Sequence, residues 1–220
     1  MSTRVAIPLY DGFTALDVVG PYQMLAMTPG VSVDLVAAQA GPIVDDQTSL
    51  TLTAALGLGE VPRPDVVVVP GGPGTLAALS GPIPGWLAEV HADTLWTTSV
   101  CSGSLILGAA GLLEGLTATT HYRHLDKLAL YGAVARPDRV VEHLGARVIT
   151  SAGVSSGIDM ALRLVELIAD RRTAEAVQLW TEYDPQPPFD AGSPTKASAE
   201  VRELAGRYEA AALAALTDAI

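Results

Sequence analysis

Thr97-Thr98-Ser99-Val100-Cys101-Ser102-Gly103-Ser104-Leu105 passes from an extended run, through one turn of small residues, directly into a helical stretch. This is the pattern of a strand–nucleophile–helix elbow, with cysteine in the nucleophile's place. Upstream, Val66-Val67-Val68-Val69 is a continuous apolar run of the kind buried on both faces of a parallel sheet, and it ends in Pro70-Gly71-Gly72-Pro73-Gly74. Further strands are expected at Val5–Leu9, Val31–Ala38 and Leu95–Val100. Helices are expected at Thr14–Met27, Pro82–Ala92, Ser102–Leu113, Ser156–Asp170, Thr173–Glu182 and Ser198–Ala219. Gly20-Pro21 should kink or restart the first of these. Gln47–Thr53 alternates at period two, and Val140–Ser151 reads as a hairpin around Gly145. Strands alternating with helices define an α/β, single-domain three-layer sandwich with a mostly parallel sheet. Residues 1–195 form that domain. The Pro- and Gly-rich stretch Tyr183–Thr195 then leads to a C-terminal helix within 196–220, with Val201, Leu204, Tyr208, Ala212 and Leu216 near helical spacing. Ligands bind such sheets outside the carboxyl ends of the strands, so Gly71, Gly72 and Cys101 are the places to search.

Composition narrows the function. The chain has 220 residues, with 24 Asp plus Glu against 13 Lys plus Arg and a formal net charge of -11. Without a block of Lys or Arg, nucleic acid is not expected as a partner. Hydrophobic content of 49% with 17% charged residues excludes a disordered chain. No apolar run reaches the length of a membrane span or a signal-peptide core, so a cytoplasmic location and no membrane partner are expected. The single cysteine rules out an internal disulfide and a zinc cluster, and should be a free thiol.

Three segments carry candidate chemistry. Cys101 would sit at the positive end of the following helix, which can lower a thiol pKa from about 8.5 to roughly 7 or below. The alternative is a small core residue, since free cysteine is often buried. Pro70–Gly74 can present backbone N–H groups to an anion or can be a plain turn. It lacks the Lys-Ser/Thr of a phosphate-binding loop, and no dinucleotide fingerprint follows the first strand. Asp17 is flanked by Leu16, Val18 and Val19. If buried, its pKa should rise and it could carry a proton; otherwise it is a solvated helix residue or cap. His121 and His124 stand three apart with no third ligand in sight, so no metal is expected. His91 and His143 read as surface residues. Pro185–Phe189 reads as a pocket rim or a connector.

These segments resemble the PfpI superfamily, whose fold is flavodoxin-like, as in class I glutamine amidotransferases, and within it the isonitrile (isocyanide) hydratases. The resemblance rests on Leu16–Pro21, Pro70–Gly72, Thr98–Ser104, Gly108–Leu113, Ala118–His121, Gly157–Asp159, Val177–Tyr183, Pro185, Pro187–Phe189 and Ala191–Pro194. The cysteine and His121 segments also occur in effector domains of AraC-type regulators. The early Asp17 segment and the tyrosine–proline tail point to the hydratases. The resemblance implies Cys101 as nucleophile, Asp17 as its acid and Ser102 as a neighbouring hydroxyl. It implies an isonitrile substrate hydrated to a formamide through a cysteine thioimidate, no cofactor, and a homodimer. The backbone N–H groups of Gly72 and Ser102, beside Gly71, are the expected substrate-binding donors. Ser102 departs from the threonine usual in the hydratases, and Ala152-Gly153-Val154-Ser155-Ser156 replaces a glycine-rich turn. Other activities of the superfamily, a glyoxalase-like hydratase or a peptidase, stay open, as does a cysteine-based sensor. No histidine directly follows Cys101, which weighs against the peptidase.

Overall fold

A computed structural model describes residues 2–61 and 63–219; side chains at 209, 213 and 215–219 are outside that description, and Leu216 with them. In chain order the elements are β1 (Thr3–Pro8), α1 (Ala15–Ala26), β2 (Val31–Ala37), β3 (Gly41–Val44), β4 (Thr51–Ala54), β5 (Leu56–Gly57), β6 (Val66–Val69), α2 (Thr75–Ala78), α3 (Ile83–Val90), β7 (Trp96–Val100), α4 (Gly103–Ala109), β8 (Thr117–Ala118), β9 (Val134–Ala135), β10 (Val140–His143), β11 (Val148–Ser151), α5 (Ser156–Ile168), α6 (Arg171–Trp180) and α7 (Ala199–Ala219). Tight 3₁₀ turns span Tyr122–Tyr131. No described helix is long and apolar enough to cross a membrane.

Seven strands form the main sheet in the order β10-β11-β7-β6-β1-β2-β5. All neighbours run parallel except β10, which returns antiparallel from β11 at one edge. The expected hairpins are present: β10 with β11 in the main sheet, and β3 with β4 as a separate ribbon. The period-two side-chain rule divides the core. Val5, Ile7, Val66 and Val68 pack with Met160, Leu164 and Val177 of α5 and α6. Ala6, Val67 and Val69 pack on the other face with Trp86, Leu87, Ile106 and Leu107 of α3 and α4. Each valine of β6 is fully buried, which stabilises the sheet by roughly 1.5–3 kcal/mol per side chain. This is the expected three-layer α/β sandwich.

The chain leaves β1 toward β2 on one side and β6 on the other. The carboxyl ends of β1 and β6 therefore flank the topological switch point, where such sheets open a crevice. Close approach brings two helices to it. A Cβ on Gly20 would meet Ile158 Cγ1 at 3.0 Å, and one on Gly157 would meet Pro21 Cγ at 3.2 Å and the Val100 methyls at 3.0 Å. These two glycines let α1 and α5 lie against each other over the end of β7. Pro21 sits inside a continuous α1 and does not restart it; its missing N–H leaves the Asp17 carbonyl without its usual helix donor.

Four expectations change. The helix after Cys101 stops at Ala109 because Gly111 turns left-handed at φ 78°, and the N–H groups of Gly111 and Leu112 return to the Gly108 and Leu107 carbonyls. Helical spacing predicts a stripe of Ile158, Ala161, Leu162, Val165 and Ile168 on α5; the buried face is instead Gly157, Met160, Ala161, Leu164 and Val165, with Ile158, Leu162 and Ile168 at its margin. His91 and His143 are half-buried pins, not surface residues: His91 Nδ1 pairs with Thr97 Oγ1 at 2.8 Å and His143 Nε2 with the Thr117 carbonyl at 2.8 Å. Burial and Arg147 lower the His91 pKa. The loop 183–195 is largely exposed, with Tyr183 and Ser193 half-buried, and of its two readings the rim gives way to the connector; α7 contributes Ala205, Tyr208 and Ala212 to the crevice wall.

Gly103 is the tightest point of the elbow, because a Cβ there would overlap the Val69 carbonyl oxygen. Backbone cannot yield as a side chain does. Gly103→Ala is therefore expected to destabilise the fold by about 3 kcal/mol or more, read as a lowered midpoint in thermal unfolding; an unchanged midpoint would show that the elbow can open.

Candidate active site

Cys101 follows β7 directly and holds a left-handed backbone at φ 57°, uncommon for a residue with a side chain. Its surroundings impose that conformation. Its N–H is shared between the carbonyls of Ser151 and Ala152, at 3.1 and 2.9 Å. Its carbonyl accepts from Thr120 Oγ1 at 3.0 Å. Val154, opposite, is also left-handed at φ 42°. Two non-glycine residues held in this region cost about 1–3 kcal/mol each and concentrate strain at one spot, as functional sites do. The result turns the Cys101 sulfur toward α1, with the N–H groups of Ser102 and Val154 directed at it.

Asp17 meets the sulfur from α1. The residue is fully buried. Oδ2 accepts from the Gly71 N–H at 2.9 Å, and Oδ1 has no conventional hydrogen-bond partner. The Cys101 thiol is its neighbour. Burial raises the Asp17 pKa to about 7; the Gly71 N–H and the thiol oppose the rise, and the Asp46 charge adds to it. The thiol moves the other way from the expectation drawn from its helix. Burial, and then the Asp17 charge, push it well above its ordinary range, against the N–H groups of Ser102 and Val154. The reason is that α4 has only seven residues and Cys101 is buried, so desolvation exceeds what the helix end returns. Asp17 and Cys101 are thus one coupled acid pair in which two negative charges are strongly disfavoured.

The glycine-rich loop works differently from expectation. The Gly71 N–H is committed to Asp17, and the Gly72 N–H is donated to Ser102 Oγ at 3.0 Å. The backbone donors facing the sulfur are those of Ser102 and Val154. The loop needs glycine for space: a Cβ on Gly71 would come within 2.5 Å of the Ser102 nitrogen, and Gly72 lies at φ 145°. Ser102 Oγ also lies 2.8 Å from Thr75 Oγ1, which lies 3.1 Å from the Tyr10 hydroxyl.

Thr14, Cys101, Ser102, His121, Val154 and Tyr208 are among the walls of a hollow of about 320 Å³ that opens to solvent. That volume suits a small molecule. Tyr10, Thr75, Thr120 and Val154 were not singled out from sequence. The hydroxyl residues are generic in type, and only the fold joins them; the departure at Val154 was visible, but not that its N–H would face the sulfur. No group of three or more His, Cys, Asp or Glu able to hold a metal occurs among the described residues.

Fold and site together define a flavodoxin-like α/β protein with a cysteine elbow and a buried acid beside it. The chain belongs to the DJ-1/PfpI family, whose model matches residues 3–167. It is 38% identical to an isonitrile hydratase of Pseudomonas putida over 224 aligned residues, covering 99% of this chain and 95% of that protein. Among solved structures it superposes on a THiJ/PfpI family protein from Pseudomonas syringae with TM-score 0.89 and 40% identity, covering 97% of this chain and 90% of that one. Drosophila melanogaster DJ-1beta shares the fold at TM-score 0.72 and 19% identity, covering 83% of this chain and 98% of that one.

The raised acid has a consequence for stability. Because Asp17 titrates near 7 in the folded chain and near 3.8 ordinarily, the folded state binds its proton more tightly. Its contribution is most favourable below the lower value and declines as pH rises toward the higher one. Asp17→Asn keeps an acceptor for Gly71 without the charge. It should therefore be more stable than the native chain at pH 8, by about 2–4 kcal/mol, with the difference shrinking toward pH 4. Denaturant titrations at the two pH values measure this, and a variant less stable at pH 8 would show that Asp17 is not a strained acid.

Proposed function

We propose that this protein hydrates isonitriles to N-substituted formamides, with Cys101 as nucleophile and Asp17 as proton carrier. The observation that carries the reading is the buried Asp17–Cys101 pair, in a chain alike over nearly its whole length to an isonitrile hydratase. An isonitrile carbon must gain both a nucleophile and a proton. One site that holds a thiol and a carboxyl sharing a proton supplies both.

In the reactive state the pair holds one proton, with the thiolate–carboxylic acid form as the working tautomer. The sulfur attacks the terminal carbon and Asp17 delivers its proton to that same carbon, giving a thioimidate and a carboxylate. Water then adds to the carbon. Asp17 takes a proton from the water and passes it to nitrogen. The tetrahedral adduct collapses as the carbon–sulfur bond breaks, and the hydroxyl proton returns to Asp17 as the carbonyl forms. The net change is addition of one water, with the pair restored. The Ser102 and Val154 N–H groups steady the departing thiolate. No cofactor enters. The same reading carries the homodimer, which sedimentation of the full chain would test.

Incubation with an alkyl and an aryl isonitrile should yield the formamides, and Cys101→Ala should yield none above background. No formamide from either compound with the native chain would end the hydratase reading and leave the sensor reading standing. The rate should rise through an apparent pKa of about 7, where the pair loses its first proton. It should then fall only at high pH, where the last proton leaves. A rate that instead drops as pH rises through 7 would show that the doubly protonated pair is the active form.

A further inference from the structure

The hydroxyl groups behind Ser102 form a chain whose proton order follows from its first member. The Tyr10 hydroxyl lies 2.8 Å from the Pro70 carbonyl, which can only accept, so its one proton goes there. Toward Thr75 Oγ1, at 3.1 Å, Tyr10 can then only accept. Thr75 spends its proton on Tyr10 and must accept from Ser102 Oγ at 2.8 Å. Ser102 has another acceptor in the Gly72 carbonyl, but that is 3.4 Å away and already takes the Thr75 N–H at 3.0 Å. Ser102 in turn accepts from the Gly72 N–H at 3.0 Å. What remains on Ser102 is a lone pair, with no proton left for its chain neighbour Cys101.

We propose that Tyr10 and Thr75 are positioning residues that hold the Ser102 hydroxyl proton away from Cys101. Ser102 then has no proton free to donate to a thiolate, because its proton is spent on Thr75. The resting sulfur is kept as a thiol, and the two backbone N–H groups of Ser102 and Val154 are left as the donors for the thiolate during turnover. Thr75 opens the four-residue helix α2 directly after the glycine loop, and Tyr10 follows β1, so the device spans the switch point of the sheet. Burial keeps the Tyr10 phenol protonated well past its ordinary range, so it stays the donor to Pro70. The other ionisable groups about the sulfur are Asp17 on α1, Asp46 after β3, His121 and His124 after β8, and Arg123 between them.

The order predicts the sign of a shift that loss of packing alone would not produce. In Tyr10→Phe the Thr75 proton loses its acceptor and turns to Ser102, which frees the Ser102 proton to donate to the thiolate. The Cys101 pKa should therefore fall by about one unit. Thr75→Val frees the same proton and should act in the same direction, while Thr75→Ser keeps the chain and the native value. Because Cys101 is the one cysteine, ultraviolet thiolate absorbance or alkylation against pH reports it alone. On a Ser102→Ala background, Tyr10→Phe should produce no shift, which makes a double-mutant cycle. A Cys101 pKa that is unchanged or raised in folded Tyr10→Phe and Thr75→Val overturns the proposal, as does a shift that persists without the Ser102 hydroxyl. None of these readouts uses an isonitrile, so their failure is distinct from failure of the hydratase reading.

Discussion

A carboxyl group buried against a thiol is the constraint around which this molecule is arranged. Asp17 has no solvent exposure, and its Oδ1 has no conventional partner. In water such a group would ionise and be solvated. Here it meets a single backbone N–H and a sulfur, so it stays poised between its two protonation states near neutrality. A fold tolerates that burial only where packing from several elements holds it in place. The glycines of α1 and α5 allow two helices to close over the end of β7. The Gly71 N–H anchors one oxygen, and the left-handed backbone of Cys101 aims the sulfur at the other side.

The strain and the electrostatics reinforce each other. Turning Cys101 and Val154 into a disfavoured backbone region places two N–H donors at the sulfur. Those donors do not overcome desolvation, so the resting thiol is not a strong nucleophile by itself. The design is better described as a shared proton than as an activated thiolate. That suits a substrate whose one carbon must receive both sulfur and hydrogen.

Much of the fold was legible in the sequence because local and global signals agree. Val66–Val69 is a strand buried on both faces by composition alone, and the run from Thr97 to Leu105 fixes a strand, a turn and a helix within a few residues. The apolar flanks of Asp17 left burial and a solvated helix position both open, and the fold buries it. Other features are not local. The packing of Tyr131 on Gly108 joins residues far apart along the chain. The use of the Gly71 and Gly72 N–H groups depends on where Asp17 and Ser102 arrive in space. The direction of the Cys101 pKa was misjudged because a helix end is visible in sequence, whereas the depth of the pocket above it is not. The wall supplied by α7 was hidden for the same reason, since spacing cannot say which surface a terminal helix covers.

The proposed hydration turns on a covalent bond between the Cys101 sulfur and the isonitrile carbon. The most direct measurement is the intact mass of the native protein quenched during turnover, with the modified peptide located by fragmentation. A gain equal to one isonitrile, carried on the peptide containing Cys101 and lost as formamide appears, is the predicted result. Steady formamide production with an unmodified cysteine throughout would contradict it.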